Sequence, residues 1–349
     1  MKNWFLSHNE SPLVLPAVWG IQAPYHPSVL YFVESWNGYN YWMAETPFPF
    51  LPKGIYRDRY ECPCIHVSND GIHWSDVDGL TNPIADLSQQ EIADFDFYSD
   101  PHLLMNDDRM ECWFRISRRH GKNEYHAPDT ETFLLRMTTS DGVTWTKPEV
   151  LINLSQVSKA ELVSPAVIFE GNKYLLWLVS VDKIKDVYSV VKLTSSDAKK
   201  WSSICECNLA GIDFKPWHID VQHFDNKYQL VIFGLKSTMS LTLWQSDNGC
   251  DFMKAFVFPV SIGHQGSFYE QRLYRAALCK VSDSDYRLYF SANDTESTHI
   301  GLLQGKSLHE MSIIDIDNNS YRSLFSYLSY MTKKVKRRVN NIFSNIQNR

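Results

Sequence analysis

Hydrophobic and polar positions alternate along this chain in short runs, and the runs come in pairs around polar turns. Val29–Phe32 and Tyr39–Ala44 flank Trp36-Asn37-Gly38. His102–Met105 and Met110–Ile116 flank Asn106-Asp107-Asp108, and Ala166–Phe169 and Tyr174–Ser180 flank Glu170-Gly171-Asn172. Val221–Phe224 and Tyr228–Gly234 flank Asp225-Asn226, and Leu273–Val281 and Tyr286–Ala292 flank Ser282-Asp283-Ser284-Asp285. Short β-branched and aromatic runs with such turns predict five β-hairpins. A second signal follows four of them. Ser68-Asn69-Asp70-Gly71-Ile72-His73-Trp74 reads S-x-D-G-x-x-W, and Ser140-Asp141-Gly142-Val143-Thr144-Trp145 repeats it. Ser196-Asp197-Ala198-Lys199-Lys200-Trp201 carries Ala for Gly, and Ser246-Asp247-Asn248-Gly249-Cys250-Asp251-Phe252 is a looser copy. An acidic residue caps such a turn, glycine takes the positive φ, and the aromatic tucks under the next strand. Asp70, Asp141, Asp197 and Asp247 read as turn residues and stand outside any site. Five hairpins and a turn recurring at a blade-sized interval predict an all-β, five-bladed β-propeller over residues 1–317.

Residues 318–349 differ. Leu324, Phe325, Leu328, Met331, Val335, Val339, Ile342, Phe343 and Ile346 recur at steps of mostly three and four, which predicts an amphipathic helix. No acid follows Asp317, whereas Arg322, Lys333, Lys334, Lys336, Arg337, Arg338 and Arg349 do. This basic tail either packs on the propeller or contacts a protein or a membrane surface.

Composition narrows the class. The 349 residues are 44% hydrophobic, 21% charged and 14% aromatic, enough for a large core and rich in ring-binding side chains. The net charge of −6 argues against nucleic acid as a partner. The seven cysteines are odd in number and contain no C-x-x-C, which predicts free thiols and neither a disulfide framework nor a zinc ribbon. The N-terminal MKNWFLSHNESPLVLPA lacks a sustained apolar segment and no run of 18 apolar residues occurs, so a soluble, cytoplasmic protein is expected.

The innermost strand of each blade opens into the central funnel, and here its entries are polar. They read Tyr25-His26-Pro27, Tyr98-Ser99-Asp100-Pro101-His102, Glu161-Leu162-Val163-Ser164-Pro165, Trp217-His218-Ile219-Asp220 and Tyr269-Glu270-Gln271-Arg272-Leu273-Tyr274-Arg275. Five distant regions thus deliver His, Asp, Glu, Arg and Tyr to one place. The period, the polar-residue–Pro entries and the S-x-D-G-x-x-W turns resemble the five-bladed propeller glycosidases, the clan of the arabinanases and β-xylosidases (family 43) and of the invertases and fructanases (family 32). The resemblance covers about residues 15–315 as architecture and short stretches as motif. It implies three acids from successive blades around a scissile bond. Asp100-Pro101 is similar to the second-blade Asp-Pro, and Glu161 lies near the third-blade acid. His26 stands where a first-blade acid is expected, and Glu61-Cys62-Pro63 matches an invertase box in the wrong blade order.

Glycoside cleavage needs two carboxyls in opposite protonation states. Asp100 and Glu161 are the expected pair, with Glu61 and Asp220 as further candidates. His26, Trp42, Trp217, His218 and Tyr269 are expected to contact a sugar, and Arg272 and Arg275 to hold an anionic group on it, a uronic, Kdo-like or sialic acid or a phosphate. No cofactor is expected. Metal ligation by His26, His102, His218 and His223 is weighed and set aside, because no tight H-x-H or H-x-x-x-H pair presents them. The reading is a glycoside hydrolase acting on an acidic glycan. The alternatives are a non-catalytic glycan-binding propeller, a glycan-modifying transferase using the same pocket, and a scaffold whose tail helix does the binding.

Overall fold

A computed structural model describes residues 10–51, 58–87, 95–120, 130–235, 239–314 and 316. Among the described residues it contains five sheets, met in chain order, four of them antiparallel and the fourth mixed. Blade one is built from Pro24–Trp36, Tyr39–Pro47, Cys64–Ser68 and Ser75–Asp76, and blade two from Phe97–Asn106, Arg109–Arg118, Glu131–Thr139 and Glu149–Asn153. Blade three holds Glu161–Glu170, Lys173–Asp182, Val187–Ser195 and Cys205–Glu206. Blade four holds Lys215–Phe224, Lys227–Leu235, Ser240–Ser246 and Asp251–Ser261, with Asn208–Ala210 added parallel to its outer edge. Blade five is Arg272–Ser282, Asp285–Asn293, Thr298–Gly305 and Met311–Ile313. The innermost strands touch their neighbours in a closed ring, the last against the first, as a five-bladed propeller requires. The expected tail helix lies outside the described residues. No described helix is long and apolar enough to cross a membrane.

The core is divided like the blades. Five clusters of buried apolar side chains each fill the gap between two adjacent blades, because each sheet is apolar on both faces and must bury both. The repeated turns latch these gaps. In the first turn Gly71 packs against Tyr289 of blade five, whose hydroxyl donates to the Gly71 carbonyl at 3.0 Å. Gly142 of blade two lies on the Trp42 ring of blade one, and Gly249 of blade four on Trp177 of blade three. Asp70 Oδ1 accepts from the Ile72 and His73 amides at 2.8 Å, and Asp141 and Asp197 act alike. In the fourth turn this role falls to Asn248, one residue past the expected Asp247. The capping hydroxyls are Ser68, Thr139, Ser195 and Ser246.

One side-chain bond ties each inner strand to the next. Ser28 Oγ accepts from the Leu103 amide, and His102 Nε2 meets the Val167 carbonyl, both at 2.9 Å. Ser164 Oγ accepts from the Ile219 amide at 3.0 Å, and Asp220 Oδ2 from the Leu278 amide at 2.8 Å. Ser291 Oγ, on the second strand of blade five, closes the ring by accepting from the His26 amide at 2.9 Å.

Candidate functional site

The strand entries carry bulges inside the innermost strands. The pairing register jumps between Tyr25 and Ser28, Ser99 and His102, Val163 and Ala166, Pro216 and His218, and Leu273 and Ala276. In the first three blades the bulged residue precedes a proline and has left-handed φ: His26 at 53°, Asp100 at 54° and Ser164 at 55°. Steric crowding by the proline ring keeps a preceding residue out of the right-handed helical region, and the bulge leaves it without a ladder partner. Non-glycine residues in this region store strain that the surrounding ring must hold. His26 and Asp100 so released meet at the floor of a cavity of about 650 Å³, lined by all five blades, whereas Ser164 turns its hydroxyl to the Ile219 amide.

Asp100 is 1% exposed, and its Oδ2 accepts from Arg115 Nε at 3.0 Å and Nη2 at 2.8 Å. Its Oδ1 faces His218 Nδ1 at 3.4 Å and Arg275 Nη1 at 3.7 Å. Burial works to raise the Asp100 pKa, but the Arg115 guanidinium, then His218, His26 and Arg275, outweigh it and hold the carboxyl well below the usual range. Burial lowers the His26 pKa to about 4 against the pull of Asp100, and holds His218 well below its ordinary value. The floor at neutral pH is therefore one carboxylate and two neutral imidazoles. One ligand-type atom from each of His26, Asp100 and His218 lies within 4.8 Å of the other two. Thr46 Oγ1 engages His26 Nδ1 at 2.8 Å, which leaves Nε2 to act, and His218 Nε2 is buried without a hydrogen-bond partner. These are the donors a divalent transition metal takes, two nitrogens and an oxygen, already deprotonated. Of the four histidines weighed from sequence, the bulges thus bring two together with Asp100. His102 is spent between blades, and His223 pairs with Glu170 at 2.7 Å.

The wall is aromatic. Trp217 Nε1 donates to Tyr274 Oη at 2.8 Å, and the Tyr274 ring lies 4.0 Å from His218, centroid to centroid. Tyr25 stacks between Tyr274 at 5.0 Å and Phe48 at 5.7 Å. Burial pushes the Tyr274 hydroxyl up, so it stays protonated. Glu61, Glu161 and Arg272 also line the cavity. Glu161 pairs with Lys183 at 3.1 Å, and Arg272 lies over the Tyr274 ring at 5.7 Å.

Four expected site residues are elsewhere. Trp42 is fully buried between blades one and two, where the Gly142 turn covers it, so it cannot stack on a sugar. Tyr269 packs in the cluster between blades four and five, and its hydroxyl is bonded to Glu10. Asp220 is the strut to Leu278; burial raises it to about 6, but it does not line the cavity. Arg275 is 1% exposed and donates to the Pro165 carbonyl at 2.8 Å, tying blade five to blade three behind the floor. Conversely, Arg115 and Tyr274 were not selected from sequence. Arg115 had a legible signal, since an arginine inside the otherwise apolar run Cys112–Ile116 must find a buried anion. Phe48 and Thr46 carried none.

No protein-family model matches the chain. A curated relative, "A type blood N-acetyl-alpha-D-galactosamine deacetylase" of Flavonifractor plautii, is 24% identical over 76% of this chain. The chain spans 40% of that relative's length. Among solved structures, an N-acetylgalactosamine deacetylase from F. plautii in complex with blood group B trisaccharide matches with a TM-score of 0.68 and 21% identity, covering 85% of this chain and 95% of that one. A xylan β-1,4-xylosidase from Bacillus halodurans matches with a TM-score of 0.60 and 15% identity, over 84% and 58%. The fold is that of the five-bladed propeller glycosidases, as the strand entries and turns had implied.

Proposed function

We propose that this chain is a carbohydrate-active hydrolase that removes an acyl group from an N-acylated amino sugar within an oligosaccharide. The observation that carries this reading is the convergence of His26, Asp100 and His218 on one point of the floor, each in its basic form. Deacetylase is also the activity of the similar F. plautii relative and of the similar F. plautii structure. The three side chains would hold a divalent cation, which supplies carbonyl polarisation and a more acidic water. The chain's own groups do the rest. Arg115 fixes the Asp100 carboxylate, and Thr46 fixes the His26 ring. The Tyr274 oxygen already accepts from Trp217, so its proton is directed to a developing oxyanion on the substrate. Tyr25, Phe48 and Trp217 offer flat faces to the sugar. Arg272 at the wall extends the substrate class to glycans with a carboxylate or phosphate near the reacting residue.

A second reading is glycoside hydrolysis, favoured by the carboxyls of Asp100, Glu61 and Glu161 around one cavity. Asp100 would then be the ionised partner, because Arg115 denies it the protonated role; Glu161 or Glu61 would supply the proton. One experiment separates the readings. The chelator-treated full chain is reloaded with zinc, cobalt or manganese and incubated with N-acetylated oligosaccharides, neutral and acidic. Acetate release with an unshortened glycan supports deacylation. New reducing ends without acetate support glycoside hydrolysis. Binding with neither product returns the glycan-recognition alternative.

A further inference from the structure

The cavity has a second wall, across the floor from the aromatic one. Blades four, five and one supply Trp217, Tyr274, Tyr25 and Phe48, so the gap between blades two and three faces them in the ring. Phe97 and Ser99 stand two apart on the inner strand of blade two and share a strand face. They pair with Ser117 and Arg115 of the next strand, and Arg115 pairs in turn with Leu134, which packs between blades two and three. Phe97, Ser99, Ser117 and Thr130 line the cavity on this side, with Glu161 and Val163 of blade three. The charges of this wall are spent within the protein. Arg115 holds Asp100 and reaches the Leu162 carbonyl at 3.5 Å. Arg119 pairs with Asp58 at 3.4 Å and lies over the Phe97 ring at 4.4 Å, and Glu161 pairs with Lys183 at 3.1 Å. Two hydroxyls are not spent. Ser99 is 3% exposed, and its Oγ and the Thr130 Oγ1 are buried without a hydrogen-bond partner among the described residues. A buried hydroxyl left unpaired works against folding, so two of them on one cavity wall call for a partner that arrives from outside.

We propose that the gap between blades two and three is a second sugar subsite, which takes a neutral, hydroxyl-bearing sugar linked to the amino sugar, with Ser99 Oγ bonding one of its hydroxyls. The proposal rests on reading the cavity as a glycan site, and not on which bond is cleaved there. A hydroxyl both donates and accepts, so Ser99 and Thr130 match a polyhydroxyl ring whichever way its O–H groups point. With Arg115, Arg119 and Glu161 already paired, this wall favours a neutral ring, in contrast to the Arg272 side of the cavity. The cavity, at about 650 Å³, is of the size that holds a drug-sized ligand, which a disaccharide is. Ser99 immediately precedes Asp100, so the subsite begins at the edge of the floor.

The test is titration calorimetry of the full, chelator-treated chain with N-acetylglucosamine, N-acetylgalactosamine and each of these linked to galactose. The disaccharides should bind more tightly than the monosaccharides. Ser99→Ala should weaken the tighter disaccharide about three- to tenfold more than its monosaccharide, the worth of one neutral hydrogen bond. Its thermal midpoint without sugar should stay level or rise, because the hydroxyl removed has no partner to lose; a structural hydroxyl would lower it. On the wild-type protein, removing the galactose hydroxyls one at a time should reproduce the loss at one position, which keeps the test decisive even where Ser99→Ala does not fold. Equal losses for both sugars, a lowered midpoint with unchanged affinity, or no gain from galactose in the wild type would each overturn the subsite. Acetate release, followed in parallel, separates this from deacylation. Release with no Ser99 effect on binding leaves deacylation standing without the subsite, and a Ser99 effect with no release leaves the subsite standing without deacylation.

Discussion

Removing Arg115 should cost this fold more than any surface arginine, and the cost should depend on Asp100. Both ends of the pair are buried, Arg115 6% and Asp100 1% exposed, and two N–H groups converge on one carboxylate oxygen. Arg115→Met leaves a buried carboxylate with only the more distant Arg275 cation, a loss of about 3–5 kcal/mol. Asp100→Asn leaves a buried guanidinium and should cost a similar amount. The double variant replaces the pair by neutral groups of similar size, which is often near neutral, so the coupling should approach the sum of the single costs, about 6–10 kcal/mol. The pH dependence has a definite sign. The wild-type Asp100 pKa is depressed, so its contribution is present above the ordinary carboxylate value and is lost only as pH falls through the much lower folded value. In Arg115→Met the burial that works to raise that pKa loses its main opponent. Protonation then relieves the unpaired charge, and the stability gap to wild type narrows between neutral and mildly acidic pH. Urea midpoints by tryptophan fluorescence on chelator-treated protein, at pH 7 and pH 4, read both quantities. Additive single costs, or an unchanged gap at the two pH values, would refute the reasoning.

Further outcomes are expected. Gly142→Ala combines a left-handed φ of 76° with a Cβ placed 2.1 Å from the Trp42 ring, so it should cost about 2–5 kcal/mol, against about 1–2 for Gly38→Ala, which meets nothing within 4 Å; equal urea midpoints would place Trp42 outside the interblade gap. Asp294, on the cavity wall, is lowered to about 2 by His299 and by the Glu296 and Ser297 amides, which outweigh its burial. Its contribution is therefore present above the ordinary value of 3.8 and lost towards pH 2, so Asp294→Asn should be less stable than wild type at pH 6 and equal to it near pH 2. Asp100→Asn should lower turnover by on the order of 10²-fold or more in an acetate-release assay, whereas Asp220→Asn should act on thermal stability first. Arg272→Lys should weaken an acidic oligosaccharide about tenfold in titration calorimetry and leave its neutral counterpart unchanged, because a point charge does not reproduce the guanidinium fork; equal losses would remove the anionic substrate.

The blades were legible because turn chemistry is local. Each Asp-Gly turn declares itself within a few residues, and the interval between copies gives the symmetry. The site was half legible. The strand entries marked His26, Asp100, His218 and Arg272 as funnel residues, since polar side chains before apolar strands have few other places to go. What sequence could not convey is which way a bulge turns. Arg272 and Arg275 look alike on paper, yet the register jump between Leu273 and Ala276 sends one to the cavity wall and the other behind the floor. Trp42 and Tyr269 were misjudged for a related reason. An aromatic near a polar entry suits a sugar platform and an interblade gap equally well, and only the neighbouring blade's turn decides.

The three bulges before Pro27, Pro101 and Pro165 have a consequence for how such chemistry can change. Their left-handed backbone is set by the proline and the ring of strands around it, and His26, Asp100 and Ser164 all occupy it at nearly the same φ. The same backbone frame thus presents an imidazole, a carboxylate and a hydroxyl in turn. A single-residue replacement at the His26 or Asp100 position changes the donor presented at the funnel floor, and its cost is set by the partners each side chain holds there, Thr46 for His26 and Arg115 for Asp100. The chemistry of the floor can therefore change while the strands keep their register, provided that a buried partner such as Arg115 changes with the side chain it holds.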